Sequence, residues 1–253
     1  MIPVQRHRRI LELLADHEIM TYSELAEKIN VSQMTIRRDV AQLAKIGKVN
    51  SVQGGVELAD NLLEEPSHAA KLALCHQEKK DIAILAVAQI TDAMHVVYLD
   101  AGTTCLEIAK ALSHRDDLLI ITNDFEIVQY LLNNSQLPLI HIGGEINRSN
   151  HSSVGPIAAE VLEKLHIDIA FISSSSWNLK GLFTPESAKV PVKKAIVHAS
   201  NTTCLVSDSS KYEQRAVYFI YSLQEFDTII TDQNIPDSAV KKITEMGIEI
   251  LIA

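Results

Sequence analysis

From residue 95 to the C-terminus the chain carries eight short apolar runs, each bounded by turn residues: HVVYLD (95–100), LLIITN (118–123), PLIHIGG (138–144), IDIAFISS (167–174), TTCLVSD (202–208), VYFIYS (217–222), FDTIITD (226–232) and IEILIA (248–253). Amphipathic stretches of helical length separate most of them, among them 105–112, 125–132, 157–165 and 192–199. Short runs that are apolar on both sides suit strands buried on both faces, and strands alternating with helices imply a largely parallel sheet with helices on either side. The fold class expected of 78–253 is therefore α/β.

The residues at the end of each run narrow the function. Small and polar side chains collect there: Asp100-Ala-Gly-Thr-Thr104, Thr122-Asn123-Asp124, Gly143-Gly144-Glu145, Ser173 to Ser176, Asp208-Ser-Ser-Lys211 and Thr231-Asp232. Ligands of open α/β sheets bind outside the carboxyl ends of the strands. One such cluster is an ordinary turn; several on one sheet edge predict a pocket. Gly102-Thr103-Thr104 leads into a helix, whose first amides attract an anion, and Lys211 offers a full positive charge.

Upstream the texture is different. Ser32 is placed to cap a helix that ends near Ile46 and Gly47. Ile36, Val40 and Leu43 fall on its inner face, while Met34, Thr35, Arg38, Ala41 and Gln42 face outward with Arg37 at the margin. Arginine pairs with guanine and glutamine with adenine in a major groove. Thr21-Tyr-Ser-Glu24 fits a capping box that opens a preceding short helix, and Asn30-Val31 makes the turn between the two. This is a helix-turn-helix. Alternating apolar residues around Gly54-Gly55 then predict a hairpin wing. DNA contact is expected from Ser32, Gln33, Met34, Thr35, Arg37, Arg38 and Gln42.

Charge agrees with a division of labour. Residues 1–58 hold eight Lys+Arg and seven Asp+Glu, a balance of +1, and the remainder holds 15 against 25, a balance of −10. DNA binding is thereby confined to the first domain. The expected boundaries are a winged helix-turn-helix over 1–58, a connector over 59–77 and an effector-binding α/β domain over 78–253. No apolar run approaches the roughly 20 residues of a membrane span, and no secretory leader pattern opens the chain, so a cytoplasmic protein without membrane association is expected. Cys75, Cys105 and Cys204 form no CxxC, and the ten histidines show no HxxxH or HExxH spacing. Neither a disulfide framework, a metal centre nor a cofactor is expected.

Residues 6–56, through SELAEKINVSQMTIRRDVAQLAKIGKV and the GG of the wing, resemble the DNA-binding domain of the DeoR family of bacterial transcriptional regulators. Residues 63–253 resemble the same family's effector domain through LDAGTT, TND, GGE, SVGPIA, DIAFISSSS, SDSSKY and FDTIITD, a domain similar to the ribose-5-phosphate isomerase and CoA-transferase fold. The resemblance implies an effector that is a phosphorylated sugar or related anionic metabolite, bound by Asp100, Gly102, Thr103, Thr104, Asn123, Gly143, Asp208 and Lys211 with Lys79 close by. Four places depart from the family pattern, one of them Ser173–Trp177, which replaces a Gly-containing loop. Asn50-Ser51 stands where a basic residue often opens the wing, Lys71 replaces an arginine, and Lys189 takes a commonly acidic position. The additional lysine suits an effector that also carries a carboxylate.

Two functions compete on these residues. One is a repressor of a carbohydrate or sugar-acid catabolic operon, a dimer or tetramer that binds double-stranded operator DNA and is released by its metabolite. The other is an isomerase- or deaminase-type enzyme with a regulatory N-terminal domain, for which Asp100, Asp124 or Glu145 would be the base. A helix-turn-helix serves no purpose in the second, so a regulator without catalytic residues is expected. Arg38→Ala should weaken operator binding by roughly 1–3 kcal/mol if that side chain reads a base, whereas Arg37→Ala should weaken binding to all sequences, as loss of a phosphate contact does. Gel-shift titrations against operator and unrelated duplexes distinguish the two; unaltered operator affinity in either variant would remove that arginine from the interface.

Overall fold

A computed structural model describes residues 2–17, 19–45, 48–52, 54–58, 65–214 and 216–253. The helix stop expected at Ile46-Gly47, the wing residue Gln53 and much of the connector lie outside these. Two compact units divide the chain, 1–62 and 63–253.

The first unit comprises α1 (Pro3–His17), β1 (Ile19–Thr21), α2 (Tyr22–Ile29), α3 (Gln33–Lys45), β2 (Val49–Val52) and β3 (Gly55–Leu58). Thr21 and Glu24 close the capping box: Thr21 Oγ1 accepts from the Glu24 amide at 3.2 Å, and Glu24 Oε2 accepts from the Thr21 amide at 2.7 Å. Asn30 ends α2 in the left-handed conformation (φ 58°), a position that asparagine tolerates. Ser32 Oγ accepts from the Thr35 amide at 3.2 Å, which starts α3. Ile36, Val40 and Leu43 join Ile10, Leu14, Leu25 and Ile29 in one core. The wing pairs Val49 with Leu58 and Val52 with Gly55. Its second strand also pairs with β1, a strand of three residues too short to show a period in the sequence. A Cβ on Gly55 would lie 2.8 Å from the Met20 carbonyl oxygen, so only glycine lets the wing lie this close to β1.

The second unit is an α/β domain. Its elements in order are α4 (His68–Leu72), α5 (His76–Val87), β4 (Val96–Leu99), α6 (Thr103–Leu112), β5 (Leu119–Thr122), α7 (Phe125–Asn134), β6 (Leu139–His141), β7 (Glu145–Asn147), β8 (Ser152–Val154), α8 (Gly155–Leu162), β9 (Ile167–Ser173), β10 (Ser176–Asn178), β11 (Gly181–Thr184), α9 (Lys189–Ala199), β12 (Ser200–Val206), β13 (Tyr218–Tyr221), β14 (Thr228–Thr231), α10 (Asp237–Glu245) and β15 (Glu249–Ile252). Of the stretch read as a connector, residues 65–77 are built into this unit, where they form α4 and the start of α5.

Seven strands form one sheet in the order β15-β14-β12-β9-β4-β5-β6, every neighbouring pair parallel. Side chains alternate between its two cores. Tyr98, Ile121, Ala170, Ile172 and Leu205 pack under α8, α9 and α10, while Val97, Leu99, Ile120, Phe171 and Val206 pack under α5, α6 and α7. Cys105 and Cys204 are buried free thiols within the second core. The run at 217–222 departs from the sequence expectation. As β13 it pairs antiparallel with β11, outside the main sheet. Parallel neighbours need a crossover of about a dozen residues or more, usually a helix, and the described residues between β12 and β13 form no α-helix.

One polar residue on α3 is as buried as the core. Asp39, 2% exposed, accepts from Arg6 Nε at 2.7 Å and Nη2 at 2.9 Å and lies 3.3 Å from His7 Nε2, tying α1 to α3. Burial would raise its carboxyl, but Arg6 outweighs burial and holds it below the ordinary value. Asp39→Ala should cost roughly 1.5–3 kcal/mol, the worth of a charge-assisted hydrogen bond. Glu12→Ala, which removes only exposed pairs with Arg8 and Arg9, should cost under about 1 kcal/mol. Urea unfolding of the two variants compares them, and equal losses would rule out the staple.

Candidate functional site: a DNA-reading helix and a charged pocket

On α3 the outward arc is largely as expected. Gln33, Arg37, Arg38 and Gln42 are exposed, Met34 is 73% exposed, and Ser32 and Thr35 sit at the helix start. Gln33 Nε2 donates to Ser23 Oγ at 3.2 Å, which ties this side chain to α2. The Arg37 guanidinium lies over the Tyr22 ring, 4.4 Å from its centre, and the Tyr22 hydroxyl meets Ser51 Oγ of the wing at 3.2 Å. Arg37 is thus held at the margin of the arc and Arg38 projects from its middle. Because Asp39 turns inward to Arg6, no carboxylate of α3 lies on this surface.

The pocket of the second unit lies where the sheet order reverses. From β4 the chain winds outward through β5 and β6, then returns to place β9 on the other side of β4. Adjacent strands that leave in opposite directions open a crevice at their carboxyl ends. A small cavity occupies it, with walls that include Asp100, Asn123, Asn150, Ser173, Lys189 and Lys193. Asp100 is 2% exposed; Oδ2 accepts from Lys193 Nζ, from the Ser173 amide at 3.1 Å and from Ser173 Oγ at 3.3 Å. Lys193 Nζ also donates to the Ser173 carbonyl at 2.7 Å. Asn123 holds its amide by accepting from the Tyr98 hydroxyl at 2.9 Å and donating to the Ser153 carbonyl at 2.8 Å.

Beside this pair lies a second one. Glu65, just ahead of α4, binds Lys71 Nζ at 2.7 Å and Lys189 Nζ with its other oxygen. Lys71 Nζ also donates to Asn150 Oδ1. Burial alone would raise the Glu65 carboxyl, but the two lysines hold it well below the usual carboxylate range. Burial lowers Lys71, against the pull of Glu65.

Of the residues expected to bind the effector, Asp100 and Asn123 line the cavity. Gly102 is adjacent, and its amide donates to Asp124 Oδ2 at 3.0 Å. A Cβ there would meet Ser173 Oγ at 2.7 Å. Thr103 and Thr104 are buried in the first turn of α6, and Gly143 is exposed away from the cavity walls. Lys79, Asp208 and Lys211 form a neighbouring cluster rather than a wall. Lys79 Nζ donates to the carbonyls of Lys71 and Leu74 at 2.5 and 2.6 Å and so satisfies the end of α4. Burial and the charge of Lys211 bring it down to about 8. Lys211 Nζ binds Asp208 Oδ2 at 3.0 Å.

Lys193, Glu65 and Asn150 were absent from the expected set, and Lys189 entered only as the additional lysine that would suit an effector carboxylate. The i, i+4 spacing of the two lysines puts both on one face of α9, a signal the sequence contains. The three carboxylates considered as bases are otherwise engaged or misplaced. Asp100 is paired with Lys193. Asp124 caps α7 by accepting from the Glu126 and Ile127 amides at 2.7 and 2.9 Å, and burial pushes it up to about 6 despite these donors. Glu145 is exposed.

A winged helix-turn-helix unit joined to a parallel α/β unit with a charged pocket at its switch point defines a ligand-sensing transcriptional regulator. A family model of the DeoR-like helix-turn-helix domain matches residues 6–61, and one of the DeoR C terminal sensor domain matches 74–233. An HTH-type transcriptional regulator of Haemophilus influenzae, itself uncharacterised, is 48% identical over 252 residues, covering 100% of this chain and 98% of that one. The glycerol-3-phosphate regulon repressor of Escherichia coli is 29% identical, with 99% of each chain covered. Ribose 5-phosphate isomerase A of Methanocaldococcus jannaschii superposes on 54% of each chain with a TM-score of 0.40 and 20% identity. The chain belongs to the DeoR family, and it is a transcriptional regulator, not an enzyme. No helix among the described residues is long and apolar enough to cross a membrane.

The Asp208–Lys211 pair makes the sensor unit's stability depend on pH. Burial would raise the Asp208 carboxyl, but Lys211 and Ser210 bring it from 3.8 to about 2. A depressed carboxyl contributes stability above its unfolded value, and the contribution is lost as pH falls through the folded value. Asp208→Asn should therefore be less stable than the wild type by roughly 2 kcal/mol at neutral pH, with the gap closing between about pH 4 and pH 2. Urea midpoints across that range measure it; a gap that stays constant with pH would refute the assignment.

Proposed function

We propose that this chain represses an operon of carbohydrate or sugar-acid catabolism and leaves its operator when an anionic metabolite, a sugar phosphate or sugar acid, enters the pocket at the ends of β4, β5 and β9. It acts in the cytoplasm as a dimer or tetramer, because one short recognition helix reads few base pairs and such proteins pair half-sites. One observation carries the reading. The carboxylate of Glu65 lies in the cavity wall between the ammonium groups of Lys71 and Lys189. The pocket is thus an anion seat that the chain's own carboxylate fills.

An entering phosphate or carboxylate exchanges with Glu65 for the same two lysines. Lys193 with Asp100 and the amide of Asn123 orient the rest of the molecule. Glu65 belongs to the segment that runs from the DNA-binding unit into α4, so its release changes the restraint on that segment. Coupling of this kind is reciprocal: operator DNA must alter metabolite affinity by the factor by which metabolite alters operator affinity. Gly102, Thr103 and Thr104 at the start of α6 would face a second anionic group, and Lys79, Asp208, Lys211 and Gly143 would shape the surroundings.

Operator release monitored by fluorescence anisotropy, titrated with sugar phosphates and sugar acids, tests the exchange. Glu65→Gln removes the competing charge and should lower the metabolite concentration at half-release by about ten-fold or more, the worth of one charge-assisted contact. Lys189→Ala, which removes one cation of the seat, should raise it by a similar factor. A midpoint for Glu65→Gln equal to that of the wild type would discard the exchange. Lack of release by any anionic compound would discard the effector class.

A further inference from the structure

We propose that His68, Glu126 and His151 form a binding site for a divalent transition-metal ion of the zinc class, built against the outer wall of the sensor pocket. One ligand atom from each of the three lies within 4.8 Å of the other two. The residues come from three separate elements: His68 from the first turn of α4, Glu126 from the first turn of α7, and His151 from the loop between β7 and β8. Nothing in their sequence spacing announces the group.

Two features separate it from an ordinary surface ion pair. His68 is 2% exposed, and its Nε2 is buried without a hydrogen-bond partner among the described residues. A buried ring nitrogen without a partner costs free energy that a metal ion would offset. The His68 and His151 rings stack with centres 5.4 Å apart and planes at 19°, while His151 Nδ1 lies 2.7 Å from Glu126 Oε1. Two stacked imidazoles and a carboxylate are a donor set of the His₂Glu kind, three protein ligands with one position left open. Imidazole favours zinc and its neighbours over magnesium or calcium. Tetrahedral zinc needs ligand atoms about 3.3 Å apart, given bonds of ~2.0–2.1 Å. The closing required falls to Glu126 and His151, whose side chains are 32% and 47% exposed and therefore adjustable.

Location gives the ion its role. His151 stands between Asn150 and Ser152, both of which line the sensor cavity, and His68 stands three residues before Lys71, which holds Glu65 and Asn150. The His68 amide already donates to the Ser149 carbonyl at 2.9 Å. A metal ion at this point would fasten α4 to the 149–152 loop and to α7, fixing the frame that supports the cavity wall. The site does not depend on the identity of the effector.

The test uses the full-length chain after exhaustive chelation. Zinc titrated by calorimetry should show one saturable equivalent, cobalt should give the visible bands of four-coordinate Co(II), and zinc should raise the thermal midpoint by an amount that grows with its concentration. His151 has φ 52°, so His151→Asn, which suits that conformation, should keep the fold while binding zinc weaker by roughly ten- to a hundred-fold or more. Glu126→Gln should weaken it as well. His166→Ala, a histidine that meets Asn201 elsewhere, should bind zinc as the wild type does. Circular dichroism confirms that each variant is folded. No saturable equivalent in the wild type, or the same equivalent in folded His151→Asn, overturns the proposal.

Discussion

Lys193 and Asp100 meet inside the sensor unit with little solvent on either, and the architecture around them follows from the need to keep that pair together. Buried charges are costly unless paired and fully hydrogen-bonded. Asp100 Oδ2 accepts from the Lys193 ammonium and from the amide and hydroxyl of Ser173, which pins the ends of β4 and β9 to each other and to α9. These are the two strands between which the sheet reverses its winding. The crevice that any such sheet would open is here given a fixed floor. Glu65 repeats the arrangement one turn along α9, through Lys189, and brings α4 to the same place. The pairs contribute geometry more than net stability.

The DNA-binding unit relies on the same device at smaller scale. Asp39 spans α1 and α3 through Arg6, in a domain with only one small core. In both units an acid is withdrawn from the surface to hold elements together. That arrangement suits an acidic chain whose proposed ligands, operator DNA and an anionic metabolite, are both negatively charged.

The strands and helices were legible because burial on both faces leaves unbroken apolar runs, and because Thr21, Glu24 and Ser32 act within one turn of themselves. The crevice was legible because strand ends carried small polar residues. Beyond that, side-chain roles depended on neighbours distant in sequence. An ammonium such as that of Lys79 serves an anion or a row of carbonyls equally well, and only the end of α4 decided for the carbonyls. Lys189 stands out in the sequence only as a departure from the family pattern and Lys193 not at all; α9 laid over β9 brings both to the pocket. β1 is too short to show a period, and β13 has the composition of a sheet strand but lacks the crossover to join one. His68, Glu126 and His151 are scattered over 84 positions, so no spacing rule finds them.

The inward turn of Asp39 has a consequence for how such a regulator diversifies. The side chains that hold α3 in its unit (Ile36, Asp39, Val40, Leu43) and the exposed ones at Met34, Arg38 and Gln42 are disjoint sets on one helix. An exchange at the exposed positions leaves every core contact and the Arg6 staple in place. Were these exposed positions to read the operator, as the sequence leads one to expect, a new target would be reachable by substitutions that leave the core of the unit untouched, and duplicated copies of the gene could drift toward different targets on the same scaffold.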